Sequence, residues 1–427
     1  MLPEAHAALA LRYRRVHAER EAVRGDASRS EVLLRRHADA LLLNHPVRVE
    51  AATYLKGDGA LTLVTDPPGA EVLLHRYVPR NRRLVAVFER SLGTTPLRQM
   101  SLPMGSYLCL LRHPERAEVR YPVHIERREH WDGVAPGDRD PHPVQLPRPE
   151  ELGPDDCYAP PGWFVSGGDP EAADGMPRRR LWCDGLVFKR FPVTNREYLA
   201  FLDDLVARGR EQEALRWAPR ERTAIKGQDG AINYGRDAGG RFLLLKDAEG
   251  DSWLPEWPVI NVHFGCAVAY ARLAADRTGR PWRLPGELEW EKVARGVDGR
   301  FFPWGNWLDP SWCSFRDSHA GRPLPALVDS FPVDESVYGV RGMGGNVEDW
   351  CADRCRKEGP RSLGSRAVVP EVVGEVDLSP SSLRAGRGGN WSGYTRSARC
   401  SSRLPHVPSL RSAFLGLRLA RSYHLPS

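Results

Sequence analysis

The chain has 427 residues, enough for two or three domains and at least one sizeable core, which excludes a single small module. Its 41% hydrophobic and 27% charged residues are globular usage, while 40 Gly, 36 Pro and 13 Trp forecast many turns and a modest helical share. The net charge of +6 is unevenly placed: from Leu378 to Ser427 there are eight Arg and no Asp or Glu. Those guanidinium forks are expected to clamp carboxylates inside the fold, so nucleic acid is not an expected partner. No stretch is long and apolar enough to cross a bilayer, and the start, MLPEAHAALALRYRR, lacks the order of a secretion signal. A soluble, cytoplasmic protein without a membrane partner is expected, with its eight cysteines mostly free thiols.

Residues 1–56 read as a helical segment. Leu9, Tyr13 and Val16 recur at helical spacing, and Ser30 is a candidate cap for a second run through Leu33, Leu34, His37 and Leu41. Two such helices cannot form a core alone. None of His6, His17, His37 and His45 has a second histidine or cysteine at i+4. Residues 57–130 change to short alternating runs, at 61–64, 71–74, 84–88, 107–111 and 119–125, separated by turn signals, and predict a small β-sandwich. Its run Pro67 to Val72, with Gly93-Thr94-Thr95-Pro96 and Met104-Gly105-Ser106-Tyr107 at later places, resembles the PEGA family of β-modules, which implies a spacer or adhesive role. Residues 131–155, rich in Pro, Gly and Asp, read as a linker.

The last domain, 156–424, opens with a capping box, Thr194-Asn195-Arg196-Glu197, followed by Tyr198, Phe201, Leu202 and Leu205 on one helical face. A second helix is expected through Phe264, Val268, Ala271 and Ala275, and a short third after Pro285 through Leu288, Trp290 and Val293. Beyond Arg295 only loops and short strands are expected. Phe191-Pro192-Val193-Thr194-Asn195, Trp257-Pro258-Val259, Arg283-Leu284-Pro285, Ala294-Arg295-Gly296, Pro303-Trp304-Gly305-Asn306, Gly345-Asn346-Val347, Arg387-Gly388-Gly389-Asn390-Trp391 and Leu415-Gly416-Leu417-Arg418 follow in one order. Together they resemble the formylglycine-generating enzyme, or sulfatase-modifying factor, family. The resemblance implies an α+β, C-type-lectin-like fold. With the PEGA-like module and the helical segment it also resembles the tail of bacterial serine/threonine kinases, although no kinase loop motifs are present.

The same resemblance defines what is missing. Copper-dependent members hold Cu(I) with two cysteines five residues apart, because soft thiolates suit a cuprous ion. This chain has Gly393 at the first place and Ala398, or Thr395 with a shortened loop, at the second, so copper is not expected. Cys400 is the one remaining catalytic candidate in that loop and would need an activating base, with His406 nearest in sequence. Iron-dependent relatives use three histidines, two of them from a helical bundle in front, and the N-terminal segment is too short to supply it. Cys351 and Cys355, placed one helical turn apart, lack a second pair for zinc. Calcium is the metal that the resemblance leaves, at Gly345, Val347 and Asp349, although Gly342 removes one usual oxygen ligand.

The expectation is therefore a non-catalytic module that binds a protein or peptide in bacterial signalling or defence. Trp391, Ser392, Tyr394, Arg396 and Arg403 are its candidate contact residues, since Trp, Tyr and Arg anchor interfaces most often. The alternative is a metal-dependent oxidase or oxygenase acting on a peptide or thiol through a differently assembled site.

Overall fold

The computed structural model describes residues 2–22, 27–221, 230–247, 249–370 and 374–423; His424, the last residue of the predicted domain, lies outside them. The chain forms two compact units: Met1–Leu63 with Leu97–Ser106 and His124–Asp132, and Val64–Pro96 with Tyr107–Val123 and Gly133–Ser427. The division runs through the predicted 57–130 module instead of along its edges.

The first unit holds three helices where two were expected: α1 (Pro3–Ala22), α2 (Ser28–Asp39) and α3 (Pro46–Lys56). Ser30 is not the cap of α2, which begins two residues earlier, and its hydroxyl donates back to the Ala27 carbonyl. α3 was missed because its cap is a histidine: His45 Nδ1 accepts from Val47 N at 3.2 Å, with Pro46 pre-set for the first turn. The third helix completes a small core of Ala10, Leu34, Ala38 and Ala51, packed by Tyr13, Val47 and Tyr54. Arg127 joins these helices to the strands of the unit through Glu21, at 2.8 and 3.1 Å, and lies 4.1 Å from the Tyr54 ring centre. The sheet here has the order Leu97–Leu102, Gly59–Leu63, His130–Trp131.

Within this unit His37 is buried and its imidazole sits 3.1 Å from that of His6. Burial, then the neighbouring His6 and Arg36, push its pKa below the ordinary 6.5. Below 6.5 the unfolded chain takes up a proton that the folded one resists, so stability present above that pH is lost as pH falls. Protection factors in α2, from hydrogen exchange corrected for the intrinsic rate at each pH, should fall between pH 7.5 and 5.5 in the native chain and much less in His37→Gln; identical responses would contradict this.

The strands Arg83–Thr94, Glu71–Arg80, Gly105–Arg112 and Val119–Ile125, most of whose residues lie in the second unit, form one sheet in that order, the first three antiparallel. The first two are longer than expected because Asn81 and Arg82, at φ 47° and 64°, close a two-residue hairpin between Arg80 and Arg83 without a glycine. The stretch read as a linker is ordered: Val144–Gln145 pairs in parallel with Thr65–Asp66, and Val144 and Leu146 are buried. Its prolines permit the extended backbone that such pairing needs.

The rest of the unit is α+β, as expected. Its helices are α4 (Asn195–Ala207), α5 (Glu211–Trp217), α6 (Phe264–Thr278) and α7 (Glu287–Arg295), of which α5 was not foreseen. Glu197 N donates to Thr194 Oγ1 at 3.2 Å and Thr194 N to Glu197 Oε2 at 2.8 Å, which is the predicted capping box. Thr194→Ala is expected to cost about 1 kcal/mol in denaturant unfolding. Tyr198, Phe201, Leu202 and Leu205 are all buried beneath α4. Beyond Arg295 the only helical turn among the described residues is the 3-10 turn Arg316–Ser318.

Candidate functional site

The site is built on α7 and one mixed sheet, ordered Leu404–His406, Arg384–Arg387, Glu348–Arg354, Leu415–Gly416. Every residue of α7 is buried, including Glu287, Glu289, Glu291, Lys292 and Arg295. Charges so far from water persist only when paired and hydrogen-bonded. Arg283 grips Glu289 with two bonds of 2.7 Å. Glu291 accepts from Arg295 at 2.9 Å and faces Arg387 at 3.2 Å. Burial works to raise the Glu291 pKa, but Arg387 and Arg295 prevail and hold it below the usual carboxylate value.

The arginine-rich C-terminal stretch supplies many of these clamps. Arg387 and Arg403 meet Glu287 and Glu291, Arg399 takes Asp169 at 3.0 Å, and Arg418 takes Asp349 at 3.0 Å. Arg384 and Arg411 donate to the carbonyls of Ala352 and Ala218, and Arg421 to that of Glu151. Arg396 is the exposed member of the eight.

Above this layer runs the loop 388–403. Gly388, at φ 89°, turns the backbone tightly over Trp290. A Cβ at Gly393 would lie 2.9 Å from Ser397 Oγ and 3.1 Å from the Asn390 amide, so a side chain at the first copper position would have to displace these two side-chain ends. Ala398, the second, is fully buried in an apolar cluster with Phe302, Trp304, Cys313 and Phe315. Thr395 is exposed. Copper thiolates do not fit these residues.

Cys400 is wholly buried, and burial pushes its thiol well above the ordinary value. His406 does not serve it: its Nε2 is 2.8 Å from Glu348 Oε2. A buried neutral thiol without a base is inert. Cys351 lies in the strand Glu348–Arg354 and Cys355 just past it, so the helical spacing considered for them does not occur. All eight cysteines are free thiols.

The five contact candidates separate. Tyr394 is 66% exposed, and its hydroxyl accepts from Arg316 Nη1 at 2.9 Å. Arg396 beside it is also exposed. Trp391 is half-buried, its Nε1 donating to Ala413 O at 2.8 Å and its ring 5.3 Å from Phe414. Ser392 is half-buried, its N donating to Asn390 Oδ1 at 3.1 Å. Arg403 corrects the expectation: it is 1% exposed, and its Nε and Nη2 grip Glu287 at 2.6 and 3.1 Å. It is an internal clamp, because a carboxylate on α7 offers it a partner out of water.

The calcium candidates Asp349 and Gly345 are each engaged within the protein. Asp349 is buried, and its Oδ2 accepts from Arg418 Nε at 3.0 Å and Trp290 Nε1 at 2.9 Å, leaving Oδ1 without a hydrogen bond. The Gly345 carbonyl already accepts from Val347 N at 3.0 Å. The three candidates supply one open carboxylate oxygen and two carbonyls of the roughly six to eight oxygens that calcium takes, counting waters. Among the described residues no three His, Cys, Asp or Glu side chains gather as a metal site.

One group was missed. Glu348, 4% exposed, stands between His406 at 2.8 Å and Asn390 Nδ2 at 2.6 Å, and a Cβ at Gly386 would strike the His406 ring at 2.7 Å. The three partners come from separate strands and a loop, so no local spacing announces them.

Residues 143–423 match the family model described as the sulfatase-modifying factor enzyme 1-like domain. The chain belongs to this family. The family domain starts at residue 143, inside the stretch read as a linker. Among its relatives, YfmG of Bacillus subtilis is 25% identical over 270 residues, covering 58% of this chain and 49% of that one. Hercynine oxygenase of Mycolicibacterium smegmatis is 30% identical over 293 residues, 65% of this chain and 63% of that one. The formylglycine-generating enzyme of mouse is 26% identical over 358 residues, 75% and 87% respectively. The chain thus spans about half of YfmG and under two thirds of hercynine oxygenase.

Proposed function

We propose that this sulfatase-modifying-factor domain acts by recognition and has given up the family's oxidation. The observation that carries the reading is at the two thiolate positions: Gly393 abuts Ser397 and Asn390, and Ala398 belongs to an apolar core. The loop keeps its Gly388 turn and its Trp391 anchor, and presents Tyr394 and Arg396 to solvent. Those two side chains are the contacts offered to a protein or peptide partner, in a C-type-lectin-like frame. In the same reading residues 57–130 are a PEGA-like adhesive module and the whole chain is a cytoplasmic signalling or defence accessory. Metal-dependent oxidation remains the second reading, favoured by the kinship with hercynine oxygenase and the formylglycine-generating enzymes.

Affinity capture with the native chain, Tyr394→Ala and Arg396→Ala, compared by quantitative mass spectrometry, tests the contact residues. A protein retained by the native chain and reduced at least about tenfold by either variant is expected, the size of losing one interface anchor. Equal retention by all three would remove Tyr394 and Arg396 from the interface.

A further inference from the structure

The sheet containing Arg83–Thr94 and two segments of the family domain, 300–304 and 332–337, border an open cleft of about 470 Å3. Small-molecule sites commonly measure about 300–1,000 Å3. Its walls are fastened together. Leu84 N donates to Trp304 O at 2.8 Å, and Arg120 Nη1 to Glu335 Oε1 at 3.0 Å. Gly305, at φ 141°, brings its loop so close to the strand that a Cβ would lie 3.3 Å from Leu84 N. The cleft is therefore preformed.

Buried Leu108, Trp304 and Val337 supply an apolar floor, with Leu84, Ala86 and Val333 half-buried at the sides. Among the charged lining groups, Glu118 is paired with Arg112 at 2.6 Å, Glu335 with Arg120, and Arg300 with Asp298 at 2.9 and 2.7 Å. Arg83 differs. Its guanidinium lies 5.7 Å from the Trp312 ring centre, no carboxylate pairs with it among the described residues, and its buried Nε has no hydrogen-bond acceptor. A donor withdrawn from water without an acceptor is unfavourable, and a guanidinium edge is shaped to give a carboxylate two parallel bonds.

We propose that this cleft binds a small amphipathic carboxylate, its apolar body on Leu108, Trp304 and Val337 and its carboxylate on Arg83. A cationic ligand would leave Arg83 facing like charge. A polyanion would bring more charge than the one uncompensated arginine neutralises. Such a ligand would touch the sheet and the family domain together, so its binding would stabilise their contact.

The test titrates the full chain with phenylacetate and hexanoate, and with phenylacetamide and hexanamide as uncharged counterparts. Tryptophan fluorescence and thermal melting are the readouts. At least one acid is expected to bind saturably and raise the melting temperature, with its amide and the Arg83→Gln variant about tenfold weaker or more, as the loss of one charge-assisted pair implies. Ala86→Trp, which fills the cleft, should abolish the effect while leaving Arg83 in place. The proposal is overturned if neither acid binds saturably below about 10 mM, a range still within weak millimolar affinity. It is equally overturned if acids and amides bind alike, or if Arg83→Gln and Ala86→Trp bind as the native chain does.

Discussion

Glu287→Ala is expected to destabilise the family domain by about 3–5 kcal/mol, a large share of an ordinary domain's stability. Glu287 is fully buried at the start of α7, where Arg403 holds both of its oxygens and Arg387 lies 3.9 Å away. Removing the carboxylate strands the Arg403 guanidinium, which is 1% exposed, while Arg387 keeps Glu291 at 3.2 Å. The loss follows from the orphaned charge more than from the bond itself, and that distinction is measurable. The double variant Glu287→Leu with Arg403→Leu, which removes a pair, should be less destabilised than Glu287→Ala in urea unfolding. A double variant as unstable as the sum of its single changes would show that the two residues act independently.

Asp349→Ala should cost a similar amount, about 3–5 kcal/mol, because it removes the acceptor of two buried donors, Arg418 Nε and Trp290 Nε1. Arg418 also donates to the carbonyls of Arg190 and Arg341, at 2.6 and 2.8 Å, so its displacement would loosen three chain segments at once. The geometry predicts that this loss is the same in calcium and in chelator. Thermal unfolding of the native chain and the variant in both conditions decides it: a melting temperature of the native chain that rises with calcium, and no longer rises in Asp349→Ala, would restore the calcium site that these donors do not complete.

Local signals in the sequence disclosed local structure. The Thr194–Glu197 capping box, the apolar face of α4 and the starts of α6 and α7 depend on residues three or four apart, and all appear where the spacing placed them. The runs at 71–74, 84–88, 107–111 and 119–125 fall in observed strands for the same reason, while Leu97–Leu102 was not foreseen. α3 was hidden behind an unusual histidine cap, and the Arg80–Arg83 hairpin behind a turn without glycine. The site was less legible, because its chemistry depends on pairs far apart in the chain. Arg403 meets Glu287 across 116 residues and His406 meets Glu348 across 58, so composition foretold that the arginines would be clamped but not which ones. What the motif order did locate was the loop and its empty thiolate positions, and the structure adds that one is crowded and the other is core.

The most direct test of lost oxidation chemistry is to incubate the chain with Cu(I), a cysteine-containing peptide, a thiol reductant and oxygen, and to follow copper binding and peptide mass together. The account predicts no stoichiometric Cu(I) held against a competing chelator and no exchange of the peptide's cysteine sulfur for oxygen. Tight binding of one copper, with conversion of that cysteine to the aldehyde, would contradict it.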